Sequence, residues 1–542
     1  MKKIAIYSGF IIVLFSITTL VSRSFRVSQI PNGGVNSCQN CHTNPAGGGA
    51  RNDFGKLIEA KFLVSSNVNW GPLLASLDAD NDGVTNGEEL QDPFGLWTTG
   101  STAPGNSALV SQPGSSSSNQ LSMLGIAFSG MTPHVGQKLF LRVFDKLNMM
   151  EVGRTEVPSI TSDFTISLNA VLPGHSYFVD FFADHNGNGF YDAPPADHAW
   201  RMELNNAAGS DQLDFSHNTN FTDIKWPYLL TVQLSGMTVH IGQLLEMRVV
   251  DNSTGLEAGR KRIELIPSDA FNVAIPGIEL GKEYKLFIYA DANKNGVYDA
   301  PPADHSYELT FTNNTGNVEL PFTHNTNFVN IDWKYLYTLN FTGMTPHAGQ
   351  FFEIRVVKNT TDEEVGRYSL TSINGALFSI SIPGIEKDTD YRVDFYADLN
   401  LSGQYEAPPN DHAWRLTFNS TTGNFVQNFT HNTDFTDIQW PNISGVDDKN
   451  ISLNPAQYQL AQNYPNPFNP STKIQFSIPV SGFVTLKVYD VLGSEIATLL
   501  QGNISSGVHA VNFNADSFRS GVYFYRIQSG NFIETKKMIL MK

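Results

Sequence analysis

A block of about 107 residues occurs three times in succession, and this restricts the architecture more than any other property of the chain. Asp184-His185-Asn186-Gly187-Asn188-Gly189-Phe190-Tyr191-Asp192-Ala193-Pro194-Pro195 returns as Asp291 to Pro302 and, more loosely, as Asp398 to Pro409. Asp-His pairs at 197–198, 304–305 and 411–412 keep the same spacing, as do His-Asn-Thr triplets beginning at His217, His324 and His431. The units fall at 121–228, 229–335 and 336–442. Within each, segments such as Leu139-Phe140-Leu141-Arg142-Val143-Phe144 have strand composition, and turn residues such as Leu172-Pro173-Gly174 separate them. Short strands at regular spacing predict a β-sandwich per unit. Each unit is large enough to own a core, so a string of beads is expected rather than a solenoid.

The rest of the chain is organised around these units. With 41% hydrophobic and 12% aromatic residues it can build packed cores and is not a disordered polymer. No long stretch shows helical periodicity, so the fold class expected is all-β and multidomain. Residues 98–120, rich in Ser, Gly and Pro, read as a flexible linker, and 443–458 as a second, polar one. They set off a small irregular module at 26–97 and a compact strand-rich domain at 459–542.

Lys2 and Lys3 precede an apolar run from Ile4 to Val21, which reads as a signal peptide over residues 1–25. A retained anchor is the alternative. No other segment is apolar and long enough to span a bilayer. Asp and Glu outnumber Lys and Arg by 52 to 35, a net charge of −17. That makes the chain a poor candidate for electrostatic binding of nucleic acid or anionic membranes and suits a protein that binds cations. Only two cysteines, Cys38 and Cys41, are present, so the repeats hold together without disulfides.

The module carries two motifs. Cys38-Gln39-Asn40-Cys41-His42 fits the C-x-x-C-H pattern of covalent haem c attachment, in which two thiols add to the vinyl groups and His42 ligates the iron. Against it, residues 43–122 contain no Met and no second His to supply a sixth ligand. A local Cys38–Cys41 disulfide and a partial metal site remain alternatives. Downstream, Asp78-Ala79-Asp80-Asn81-Asp82-Gly83-Val84-Thr85-Asn86-Gly87-Glu88-Glu89 fits the twelve-position calcium loop. Asp78, Asp80 and Asp82 would give carboxylate oxygens, Val84 its carbonyl, Asn86 a direct or water-mediated contact, and Glu89 a bidentate closure. Pro72 and Pro93 leave room only for short flanking helices, so a structural ion is expected rather than a paired sensor.

Two further constellations recur in the repeats. Nine of the 13 histidines are His134, His198 and His217; His240, His305 and His324; His347, His412 and His431. They could form one copper or zinc site per unit. The simpler expectation is that they hydrogen-bond loops and pack near Trp200 or Trp226. The acidic loops alternate oxygen side chains: Asp184, Asn186, Asn188 and Asp192; Asp291, Asn293, Asn295 and Asp299; Asp398, Asn400, Ser402 and Glu406. A calcium-stapled loop and plain Asx-turns account for this pattern equally. No G-x-S-x-G elbow is present, and an enzyme is the least supported class.

Two segments resemble known families. Leu460-Ala461-Gln462-Asn463-Tyr464-Pro465-Asn466-Pro467-Phe468-Asn469-Pro470-Ser471-Thr472, Val488-Tyr489-Asp490-Val491-Leu492-Gly493 and the basic tail Lys536-Lys537-Met538 resemble the type IX secretion C-terminal sorting domain. The resemblance implies a small β-sandwich and the secretion machinery as partner. Ile30-Pro31-Asn32-Gly33, Cys41-His42-Thr43, Gly47 to Gly55, Trp70 and the calcium loop resemble the temptin-type domain. That resemblance implies a small secreted calcium-loop domain with binding or signalling roles and no established catalysis. The animal members' disulfide cysteines are missing here, so a pheromone role does not carry over. The reading is a secreted or cell-surface noncatalytic binding or display protein, stabilised by calcium, with an unidentified extracellular ligand. An extracellular c-type cytochrome and a copper- or zinc-binding repeat protein are its alternatives.

Overall fold

The computed structural model describes residues 24–420, 423–440 and most of 459–540. The chain divides into two compact units, Met1–Ile438 and Gln439–Lys542. Of the expected signal peptide only its last two residues are described, and the expected linker at 443–458 lies outside the described residues.

In the first repeat seven strands form two sheets. They are β1 (Ser122–Ser129), β2 (Leu139–Asp145), β3 (Glu151–Val157), β4 (Phe164–Val171), β5 (Tyr177–Ala183), β6 (His198–Leu204) and β7 (Asp211–Ser216). One sheet has the order β4-β1-β7 and the other β3-β2-β5-β6. Alternation decides which side chains face inward. Leu124, Ile126 and Phe128 of β1 are buried against Leu139, Leu141 and Val143 of β2 and Tyr177, Val179 and Phe181 of β5. Phe128 and Phe181 meet edge-on across the layers at 5.1 Å. Burying each such ring contributes about 1.5–3 kcal/mol. The other two repeats have the same two-sheet order, which establishes the all-β, multidomain class.

The strand pairings gather three segments at one end of the sandwich. β1 and β7 run parallel, Ser129 beside Ser216, while β2 starts beside the end of β5, and β6 starts there too, His198 beside Ala183. The segment after β1, the β5–β6 loop and the segment after β7 therefore all emerge together.

Separate beads are not what the chain forms. Strands open at Tyr228 and Tyr335, one residue before the expected boundaries, and each of these tyrosines reaches into the preceding unit. The Tyr228 hydroxyl accepts the Tyr191 amide at 2.9 Å, and that of Tyr335 accepts the Tyr298 amide at 2.9 Å. Phe182 and Trp226 belong to the same apolar cluster as Leu230, Val232 and Met247 of the second repeat. Leu244, Phe287 and Tyr289 join the core of the third.

The amino-terminal module is built on the helix Asp53–Lys61, capped by Asn52, whose side chain accepts the Gly55 amide. Its buried face (Phe54, Leu57, Ile58) packs on Ile30, Phe62, Leu74 and Leu90. The stretch expected as a flexible linker is instead a strap folded back over this module. Asn32 Nδ2 donates to the Pro104 carbonyl, Asn36 Nδ2 to the Ser111 carbonyl, both at 2.9 Å, and the Ser111 amide to the Glu89 carbonyl at 3.0 Å. Main-chain groups hold the strap, and their hydrogen-bonding capacity does not depend on apolar composition.

The module leans on all three repeats. Glu88 lies beside Asp145 and His175 of the first, with ligand atoms within 4.8 Å. Lys61 Nζ is 3.7 Å from Glu264 of the second, and Asn428 Nδ2 of the third donates to the Phe94 carbonyl at 3.1 Å.

In the second unit the strands Gln459–Leu460, Ser471–Ile478 and Gly507–Asn514 form one sheet, and Gly482–Tyr489, Glu495–Ile504, Gly521–Ser529 and Phe532–Leu540 the other. Ile474, Phe476, Leu486, Val488, Tyr525 and Ile527 fill its core. Among the described residues no helix is long and apolar enough to cross a membrane.

Candidate metal-binding loops and histidine clusters

The loop Asp78–Glu89 is folded around its own oxygens. Asp78 Oδ2 accepts the Gly83 amide at 3.0 Å and Asp82 Oδ1 the Val84 amide at 2.9 Å. Gly83 has φ +93°, the left-handed conformation the loop requires at its sixth position. Thr85 and Glu88 form a capping box that starts the one-turn helix Asn86–Glu89. Asp78, Asp80 and Asp82 bring carboxylate oxygens within 4.8 Å of one another.

What remains unbonded is informative. Both Asp80 oxygens, Asp82 Oδ2, Asn86 Oδ1 and Glu89 Oε2 are buried without a hydrogen-bond partner. All four residues are ones the loop spacing assigns to an ion. Burial, then the charges of Asp82 and Asp78, pushes Asp80 up to about 7. Burial, then Asp80 and Asp82, pushes Glu89 up to about 10. Buried carboxylates crowded in this way need a cation or protons. The donor set is hard oxygen, which fits Ca²⁺. One contributor was not foreseen: Ser111, in the strap, donates Oγ to Glu89 Oε1 at 2.9 Å and so aims the closing carboxylate.

Cys38 and Cys41 are free thiols in this structure, in and just after the short 3₁₀ turn Ser37–Asn40. Cys41 packs against the module core, and burial pushes its thiol up to about 11. The Cβ of any residue replacing Gly47 would lie 2.9 Å from Cys38 Sγ, so the glycine turn closes over that thiol. His42 Nδ1 is buried without a partner. The three haem-motif residues thus adjoin, with one imidazole nitrogen uncommitted.

The acidic loops of the repeats are self-satisfied. Asn186 and Asn188 donate Nδ2 to Asp192 Oδ2 at 2.8 and 2.7 Å, while their carbonyls accept the amides of Asn188 and Phe190. Asn293 and Asn295 bond Asp299 in the same way, and Asn400 bonds Glu406. Asp291 and Asp398 accept the amides of Gly296 and Gly403, and Ser402 donates its amide to Asp398. Asp197, Asp304 and Asp411, buried at the far end, accept further loop amides. In the first repeat only Asp184 Oδ1 is left over among these oxygens. These bonds are the Asx-turn arrangement, drawn closed by one carboxylate.

At the same end of each sandwich the nine recurrent histidines meet in threes. His134 Nε2 lies 3.2 Å from both His217 Nε2 and His198 Nδ1. The corresponding separations are 3.0 and 3.0 Å around His240 in the second repeat, and 3.1 and 3.4 Å around His347 in the third. Burial pushes His134, His240 and His347 below the usual imidazole value. Burial, then His185 and His134, takes His198 down to about 4. Trp200 lies against His134 as expected, whereas Trp226 packs on Phe182 toward the next repeat. Each buried histidine is also held by a glutamine three residues on (Gln137, Gln243, Gln350), a recurrence the sequence displays but that spacing alone does not tie to a site.

Comparison with known proteins bears on the two ends of the chain. Residues 20–115 match the family model described as Temptin C-terminal, and 462–541 match that of the secretion system C-terminal sorting domain. Temptin of Aplysia californica is 37% identical over 73 residues, which is 14% of this chain and 54% of that protein. The chain thus spans about half the length of that relative. Among solved structures, the Bacillus anthracis TIE protein aligns over 75% of this chain and 66% of its own, at 9% identity and a TM-score of 0.14. The fimbrial anchor protein Mfa2 from Porphyromonas gingivalis aligns over 38% and 90%, at 9% identity and 0.14. No functional statement passes from likenesses of that degree. The chain carries a temptin-type domain and a sorting domain, and the latter indicates export through the outer membrane to the cell surface or the extracellular space.

Proposed function

We propose that the chain is a noncatalytic binding or display protein of the cell surface or its surroundings, whose amino-terminal module is held in shape by one Ca²⁺. The observation that carries this is the set of five buried, unbonded oxygens on Asp80, Asp82, Asn86 and Glu89. Asp78 and the Val84 carbonyl complete the set that would hold the ion. The module touches all three repeats, so ordering the loop also braces the sandwiches against which it leans. The sorting domain supports export, and the secretion machinery is its partner on that route. The repeats then present their surfaces to an extracellular ligand.

Equilibrium dialysis of the full chain tests this directly. One Ca²⁺ per chain is expected, with a thermal midpoint that falls in EGTA. Calcium at a hundred times its Kd would contribute about 2.7 kcal/mol to the folded state. Identical melts with and without EGTA, and no retained calcium, would sink the reading. The haem alternative at Cys38, Cys41 and His42 is supported by the uncommitted His42 Nδ1 and is separated by a visible spectrum. A Soret band with added covalent mass, from a host that matures c-type cytochromes, would replace display by electron transfer.

A further inference from the structure

The three histidine clusters are independent of the calcium loop and call for their own explanation. Histidines 83 and 64 residues from His134 converge on it only because β1 and β7 are parallel and β6 starts at the same end. Gln137 Oε1 lies 2.8 Å from His134 Nδ1, and the same bond recurs at 2.7 Å for His240 and 2.8 Å for His347. An amide oxygen there accepts the Nδ1 proton, which leaves Nε2 with a lone pair aimed into the cluster. This is the outer-shell arrangement that orients metal-ligating imidazoles.

The partner rings are fixed as firmly. His198, His305 and His412 stack on Phe221, Phe328 and Phe435 with centroids 4.0, 3.9 and 3.9 Å apart. From the central Nε2 of each cluster to its two partners, and between His305 and His324, the nitrogen–nitrogen separations run from 3.0 to 3.4 Å. Ligands at about 2.0–2.1 Å from a tetrahedral ion stand about 3.3–3.4 Å apart. A hydrogen-bond knot explains the arrangement less well. The single lone pair of the central Nε2 would have to serve two donors, three times over in one chain.

The first repeat differs from the others. His185 stacks on His198 at 4.3 Å, and its ligand nitrogen lies within 4.8 Å of those of His134 and His198. The second and third repeats have Ala292 and Leu399 at that place.

We propose that each repeat binds one zinc- or copper-class divalent ion through its three convergent histidines, with His185 as a fourth imidazole in the first repeat. In the second and third repeats a coordination position stays open to water or to a group from a partner. Imidazole donors select such ions over the Ca²⁺ and Mg²⁺ that carboxylates prefer. The sites are therefore separate in chemistry as well as in place from the loop at Asp78–Glu89.

The test loads the full chain with ZnCl₂, and separately with CuCl₂, in buffer containing calcium, then desalts it and measures retained metal. Three ions per chain are expected. His240→Ala and His347→Ala should each remove one, and the pair should leave the four-histidine site alone. Because those two residues are buried, His324→Gln and His431→Gln, at half-buried positions, serve as the second set; they should weaken retention against a chromogenic chelator at least tenfold with the circular dichroism unchanged. Copper in the loaded protein should show nitrogen hyperfine structure in its paramagnetic resonance spectrum. Fewer than three ions on the unaltered chain, or three ions retained by the His324→Gln, His431→Gln chain at undiminished affinity, would overturn the proposal.

Discussion

The loop at Asp78–Glu89 and the loop at Asp184–Asp192 look alike on paper, both spacing oxygen side chains two apart around a glycine, yet they end in opposite electrostatic states. In the first, carboxylates occupy three alternate positions, and buried oxygens remain without donors. In the second, asparagines stand at two of those positions and supply the donors themselves, to Asp192. Exchanging a carboxylate for an amide changes a site that needs a cation into one that closes on itself. The number of oxygens matters less than how many donors come with them.

The contrast is tested most severely at its charged end. Asp80→Ala or Glu89→Ala should abolish the bound calcium and lower the stability by the whole calcium contribution, about 2–3 kcal/mol, read by calorimetry in millimolar calcium. In EGTA the deficit should disappear. Glu89→Gln removes a buried carboxylate pushed up to about 10, and should melt no lower than the unaltered chain. A melt in EGTA well below that of the unaltered chain would contradict the cation-demanding description.

A conversion experiment approaches from the other loop. Asn186→Asp with Asn188→Asp removes both donors to Asp192 and adds like charges. A loss of about 1–2 kcal/mol is expected in EGTA, partly recovered by millimolar calcium. Unchanged stability in EGTA would mean that the amide bonds to Asp192 do not hold the loop.

The smallest effect concerns acid. The amides of Asn293 and then Asn295 hold Asp299 below the usual carboxylate range. A depressed carboxylate contributes stability above its unfolded value, about 3.9, and loses it as pH falls through its lower folded value. Fluorescence titration of Asp299→Asn below pH 4 should therefore show a shallower acid limb than the unaltered chain, with calcium content identical in both.

How much could be read beforehand differs by element. The calcium loop was legible because its ligands lie within twelve residues and the turn at Gly83 fixes their order. Sandwiches were legible from alternation, as in Leu124, Ile126 and Phe128. The strap was not, because Ser and Gly side chains carry no signal for main-chain bonds such as that of Ser111 to Glu89. The histidine clusters were half legible. Their recurrence was plain, but their meeting depends on β7 lying parallel to β1, a pairing between strands more than 80 residues apart. Local pattern does not determine such pairings.

The tyrosines at 228 and 335 have a consequence for how the three repeats come apart. Each is the first residue of one sandwich and the lid on the acidic loop of the one before, within an apolar wall that both share. Melting any repeat strips its neighbour of that wall and frees the neighbour's loop, so the interface term is large beside the intrinsic stability of each unit. The three should unfold in one cooperative transition, with damage in the middle repeat felt at both of its neighbours.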